Sequence, residues 1–181
     1  MEYEFEGLKP RIHRDAFIAP TAVLIGDVEV GAEVSIWYGA VLRGDAGKIT
    51  IGEGSCIQDN VLIHGNTFVG KDCHISHCAV IHACTLEDGA FVGISATVLD
   101  GAVIGSLAMV AAGAVVMEKA VVSPRTVVAG IPARAKKQLS GRALTWVEEG
   151  SEFYRRLGRR YKKEGLDRPE IMPLHGSEVI D

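Results

Sequence analysis

From Phe91 to Val122 the chain reads FVGISATVLDGAVIGSLAMVAAGAVVMEKAVV, and an aliphatic residue returns every six positions, at Val92, Val98, Ile104, Val110, Val116 and Val122. Four residues after each of the first five comes an alanine: Ala96, Ala102, Ala108, Ala114 and Ala120. A helix of 3.6 residues per turn cannot hold this period, and a simple alternating strand needs no size limit at one position. A prism of short parallel strands needs both. Each leading aliphatic points inward and stacks on its counterpart in the next coil, and the small residue fits where the chain turns a corner.

The same pattern extends upstream, with leaders at Ile18, Leu24, Val30, Ile36, Leu42, Ile51, Ile57, Ile63, Val69, Ile75, Ile81 and Leu86. Three units make one coil, so about six coils are expected. Nine residues separate Leu42 from Ile51, which predicts a three-residue loop insertion around Asp45 to Lys48 and puts Ala46 at that unit's small position. Only five separate Ile81 from Leu86, with Thr85 at the small position. Glycine recurs second in the unit, as at Gly52, Gly70 and Gly105, where it reads as a turn residue. The fold class expected is mainly β, a single-stranded parallel β-helix over residues 11–132.

AGIPAR, Ala129 to Arg134, is a Gly/Pro break that ends the prism. Beyond it Trp146, Gly150, Phe153, Tyr154, Leu157 and Tyr161 fall at helical spacings, predicting an amphipathic helix over 140–164 whose apolar stripe lies on the prism's flank. Residues 165–181, with Pro169 and Pro173, read as an irregular tail, and 1–181 as one domain.

A net charge of -4, with charged residues spread rather than blocked, supplies no field for nucleic acid or an acidic membrane surface. The opening MEYEFEGLKPRIHRD contains no apolar run of the kind a signal peptide needs, so a cytoplasmic protein is expected. The segment from Gly101 to Met117 carries no charge, yet it keeps the repeat's period and reads as core rather than a bilayer span. Cys56, Cys73, Cys78 and Cys84 form no C-x-x-C pair and read as reduced thiols used for packing.

Set on the repeat, three histidines stand apart. His64 follows leader Ile63 and His82 follows leader Ile81, three units further on, so both occupy equivalent places in successive coils and reach one point outside the prism. His77, two past leader Ile75, sits on another rung and points elsewhere. If three copies pack around a threefold axis, His77 of one meets His64 and His82 of the next. Three neutral imidazoles with an open fourth position suit catalytic zinc. A surface histidine is ordinarily a solvated side chain, and spacing alone leaves both readings open. Asp59 lies one full coil before His77 and stacks beside it, and Arg43 and Asp45 bracket Gly44. These charges read either as exposed polar surface or as groups that fix register and orient ligands at a subunit interface. His74 stacks over Cys56 and reads as a side-chain contact.

VLRGD (Val41 to Asp45), IQDN (Ile57 to Asn60), LIH (Leu62 to His64), ISH (Ile75 to His77) and IHAC (Ile81 to Cys84) resemble the gamma-class carbonic anhydrases and their carbonic-anhydrase-like relatives among the hexapeptide-repeat proteins, over roughly residues 10–161. The resemblance implies a left-handed β-helix, an exception to the right-handed rule for parallel crossovers, assembled as a homotrimer with metal between subunits. It implies that His64, His77 and His82 bind Zn²⁺, or another divalent metal such as Fe²⁺ or Co²⁺, and that Gln58 hydrogen-bonds the metal-bound water. Arg43, Asp45 and Asp59 would form an interface ion-pair network, and Tyr154 would approach the site from the terminal helix. The activity implied is reversible hydration of CO₂ to bicarbonate by metal-bound hydroxide.

After His64 the chain reads GNTFVG, where better-known members carry an acidic loop with a proton-shuttling glutamate, which implies slow turnover with His74 or buffer replacing the shuttle. Two other functions fit the same scaffold. A CoA-dependent acyltransferase or thioesterase would bind acetyl-CoA tightly, and a non-catalytic trimer stapled by metal would dissociate on metal removal.

Overall fold

The computed structural model describes residues 1–167. Its leaders stack as the repeat requires. On one face Ile18, Ile36, Ile57, Ile75, Val92, Val110 and Val128 lie in successive parallel strands, and the other two faces form a continuous sheet that includes the long segments Val23–Val30 and Val41–Ile51. The solenoid has about seven turns rather than six. Short strands at Glu2–Tyr3 and Arg11–Ile12 pair with Val23–Val30 and begin a coil ahead of the first sequence unit, while Thr126–Ala129 adds a rung at the far end. The prism then closes with an antiparallel strand, Arg134–Gln138, beyond the expected Gly/Pro break. That strand covers the open edge of Thr126–Ala129, which would otherwise present unpaired backbone groups.

The core is one column of aliphatic leaders and small corner residues. Two corner assignments change. Ala46 is exposed, and Ile49 fills its place, stacked in register on Val28. The extra residues form no protruding loop: they sit as a bulge inside the paired strand Val41–Ile51, where the register shifts between Gly26 and Val28. In the five-residue unit the corner belongs to Cys84, buried, rather than to Thr85.

The glycines second in the unit serve a different purpose from turning. Gly52 has no left-handed backbone, but a Cβ there would lie 2.5 Å from the Gly70 carbonyl in the next coil, so the coils could not stack. The turn itself falls on the residue just before the corner. Asn60, Asp72, Cys78, Ser95, Leu107, Lys119 and Arg125 hold φ between +53° and +61° there, a region that side chains ordinarily avoid and that the hydrogen-bonded coil imposes at most corners.

The terminal helix spans Gly141–Lys163, against 140–164 expected. It lies on the flank of the prism, where Tyr154, Leu157 and Tyr161 pack on Phe17, Ala19 and Trp37 with ring centroids 5.0–5.6 Å apart. Arg155 reaches Glu33 and Asp72, which lie two coils apart, and Lys162 Nζ donates to the carbonyls of Arg14 and Ala16. Part of the expected stripe faces the other way. Trp146 and Phe153 are exposed, while Val147, Ser151 and Gly158 turn to the prism. Of the expected tail, residues 168–181 lie outside the described residues.

At Gly158 helix and prism approach closely, since a Cβ would lie 3.2 Å from Phe17 Cβ and 3.4 Å from Ser35 Cβ. Gly158→Val therefore overpacks the contact and lowers stability by about 1–3 kcal/mol, read as a lower urea midpoint at unchanged slope. A midpoint equal to the wild type's would mean that the helix yields without loss.

Candidate metal centre

His64 and His82 stand opposite each other in register on neighbouring strands, with Arg43 one coil earlier in the same column. His64 Nδ1 and His82 Nε2 lie 3.1 Å apart. The other nitrogen of each ring meets a carboxylate: His64 Nε2 lies 3.1 Å from Asp45 Oδ1, and His82 Nδ1 lies 2.5 Å from Asp100 Oδ1. Arg43 Nη1 donates to Asp45 at 2.6 Å and holds that carboxyl below its usual range. Carboxylates accept protons in hydrogen bonds, so Asp45 and Asp100 place the ring protons on the outer nitrogens. The two inner nitrogens then face each other with lone pairs.

That arrangement is unfavourable unless a cation lies between them. Two imidazole nitrogens bound at about 2.0–2.1 Å in a tetrahedral site are about 3.3 Å apart, close to the spacing found. The pair fits a divalent metal such as zinc, but two ligands do not complete a site. Among the described residues of one chain, no three His, Cys, Asp or Glu side chains are grouped to hold a metal.

His77 lies on the other face, with its Nδ1 2.9 Å from Asp59 Oδ2, as the register between those two positions requires. It lines a cavity of about 420 Å³ with Gln58, His74, Phe91, Trp146 and Tyr154. Gln58 is buried and committed at both ends of its amide. Its Oε1 accepts the His77 backbone N–H at 3.1 Å, and its Nε2 donates to His74 Nε2 at 2.5 Å, leaving one N–H for a water or substrate. Tyr154 comes from the terminal helix, edge-on to His74 and Trp37, and burial raises its hydroxyl pKa.

One chain thus brings the sequence-derived residues together as two half-sites: Arg43, Asp45, His64 and His82 on one face, and Gln58, Asp59, His77 and Tyr154 on another. Asp100 belongs with the first and was not among the expected residues, although it lies one coil beyond His82. His74 does pair in register with Cys56, but it does not suit the role of proton shuttle. It is 5% exposed, stacked on Phe91 at 4.5 Å, and burial pushes its imidazole down to about 4. Burial also pushes the Cys73 and Cys84 thiols up to about 12 and Cys56 higher still, so these three are packing groups and poor nucleophiles.

Coil, helix and paired half-sites define a hexapeptide-repeat β-helix protein. A family model described as "Bacterial transferase hexapeptide (six repeats)" matches residues 9–44. Gamma carbonic anhydrase 2, mitochondrial, of Arabidopsis thaliana is 41% identical over 165 residues, 86% of this chain. The chain spans 59% of that protein's length and 60% of the related Arabidopsis gamma carbonic anhydrase 1. Carnitine operon protein CaiE of Salmonella typhimurium is 41% identical over 180 residues, covering 97% of this chain and 89% of CaiE. A hexapeptide transferase family protein from Anaplasma phagocytophilum superposes with TM-score 0.87 at 40% identity, over 89% of this chain and 98% of that one. The chain belongs to the gamma-class carbonic-anhydrase-like family of hexapeptide-repeat proteins, and its coil is the left-handed β-helix of that family.

Proposed function

We propose that the protein is a zinc-dependent carbonic anhydrase, hydrating CO₂ reversibly to bicarbonate at sites between the copies of a homotrimer. The observation that carries this reading is the His64–His82 pair, whose carboxylate-held rings turn two lone pairs toward one point. His64 and His82 of one copy and His77 of the next would hold the metal, with Fe²⁺ or Co²⁺ as other occupants of the same donor set. Bound there, zinc supplies hydroxide at neutral pH, because it lowers the pKa of water from 15.7 to about 7.

The chain's own residues do the rest. Asp45 and Asp59 orient His64 and His77, and Arg43 keeps Asp45 ionised. Gln58, its oxygen fixed by the His77 backbone, offers its remaining N–H to a reactant oxygen. Tyr154, made reluctant to ionise by burial, presents a hydroxyl on the cavity wall. GNTFVG, after His64, carries no titratable side chain, so proton exit relies on buffer and turnover is slow. Among the described residues no helix is long and apolar enough to cross a membrane, and all four thiols are free, which suits the reducing cytoplasm.

The test is metal analysis joined to stopped-flow CO₂ hydration. The purified protein is expected to hold about one zinc per chain and to hydrate CO₂, with both lost in His82→Ala. A correctly assembled wild type without zinc or hydration rules the reading out.

A further inference from the structure

We infer that Asp100 is a positioning residue for the metal site: it fixes His82 as the Nδ1–H tautomer and so presents Nε2 for coordination. The inference rests on the proposed zinc site and adds a group to it that the sequence motifs do not contain.

Asp100 Oδ1 lies 2.5 Å from His82 Nδ1. Neutral imidazole left to itself favours carrying its proton on Nε2, the nitrogen that faces His64. In that state His82 would point an N–H at the metal position and could not ligate. A carboxylate at Nδ1 reverses the preference, because only the Nδ1–H form can donate to it. His64 is held the opposite way, through Nε2 by Asp45, and so turns Nδ1 inward. The two carboxylates choose different nitrogens on the two rings, and the nitrogens left over are the ones 3.1 Å apart.

A purely structural role accounts for Asp100 poorly. It comes just before Gly101, at a corner where aspartate commonly caps the turn through its side chain. Yet among the described residues its carboxylate bonds to no turn amide, and its one hydrogen-bond partner is His82. The side chains of Asp100 and His82 are 55% and 37% exposed, and an ion pair that open adds little to fold stability. What the contact does fix is which nitrogen of His82 bears the proton.

Two measurements on the wild type, Asp100→Asn and Asp100→Ala test this. Zinc affinity by competition with a chromogenic chelator is expected to fall roughly ten- to hundredfold in Asp100→Ala, and less in Asp100→Asn, which keeps an acceptor oxygen. In the metal-free protein, ¹⁵N NMR of the imidazoles is expected to show His82 protonated on Nδ1 in the wild type and moving to Nε2–H in Asp100→Ala. Zinc affinity in Asp100→Ala within about twofold of wild type, or a His82 there that keeps its Nδ1 proton, overturns the inference. Should Asp100→Ala fail to fold, Asp100→Asn decides by the same two readouts. Should the wild type itself take up no zinc, the proposed function fails, and the tautomer measurement alone still decides the part of Asp100.

Discussion

Mixing a His77→Ala chain with a His82→Ala chain is expected to restore about one quarter of the zinc sites and of the CO₂ hydration that each variant alone has lost. The expectation follows from the split between half-sites. His64 and His82 are adjacent on one face, His77 lies on another beside Gln58, and no third ligand joins the pair within one chain's described residues. In the proposed threefold assembly every site takes two imidazoles from one copy and the third from its neighbour. A His77→Ala chain keeps an intact His64–His82 pair, and a His82→Ala chain keeps an intact His77. A site is complete only where a chain of the first kind faces one of the second in the right order, which random assembly at equal proportions achieves in about one case in four.

The mixture is made by co-refolding or co-expression and read by bound zinc and by hydration, with each variant refolded alone as the baseline. Sites formed within single chains would give no recovery at any ratio. Recovery that tracks the product of the two proportions, largest at equal amounts, is the signature of sites shared between neighbours.

The register of the prism was legible in the sequence because stacking imposes it. A leader out of step would leave a cavity or bury a polar group, so the repeat's period survives along most of the prism and aligns His64 with His82 and Asp59 with His77. Corners were less legible. Cys84 and Thr85 are neighbours of similar size, and only the pairing of Phe68 with Thr85 and of Val69 with Leu86 shows that the shortened unit puts Cys84 inside. The insertion misled for a related reason: extra residues can bulge within a paired strand, and Ile49, which no small-residue rule would choose, then takes the corner.

The helix stripe at spacings of three and four was found, but its orientation was not. Trp146 and Phe153 share the apolar character of Tyr154 and Tyr161, and what turns the helix is the close contact allowed by Gly158, together with Arg155 clamped to Glu33 and Asp72. Asp100 was readable in principle as a carboxylate one coil beyond His82. The short unit between Ile81 and Leu86 takes one residue out of that coil, so Ile81 pairs with Val98 and the regular coil spacing is broken there.

Lowering the pH from 7 to 5 is expected to cost the wild type about 2 kcal/mol more unfolding free energy than it costs His74→Phe. His74 lies between Phe91, stacked at 4.5 Å, and Tyr154 on the terminal helix, with Gln58 on its Nε2. Its Nδ1 is packed against Gly150 with no hydrogen-bond partner. Burial dominates in pushing the imidazole from 6.5 down to about 4, and His77 adds to the shift. Arg142 and Glu149 of the helix line the neighbouring cavity with opposite charges.

The folded protein therefore resists a proton that the unfolded chain accepts near pH 6.5. The stability His74 contributes is fully present above that value and is lost as the pH falls toward 4, the unfolded state binding up to one proton more throughout the interval. Across the whole interval the loss approaches about 3 kcal/mol. Carboxylates titrate in both proteins and cancel in the comparison. The unpaired Gln58 Nε2 in His74→Phe lowers that variant's stability at every pH, so the slope carries the result and the offset does not. Parallel curves of unfolding free energy against pH would mean that His74 protonates freely in the fold.

The same titration reaches the half-site through Gln58. A protonated His74 turns Nε2 from acceptor to donor, facing the Gln58 amide N–H₂, and that hydrogen bond cannot survive. The carboxamide must then rotate or withdraw, which loosens its hold on the backbone of His77. Because the folded protein takes this proton only near pH 4, CO₂ hydration in the wild type is expected to lose the Gln58 contact there, at the lower end of the interval over which stability is lost.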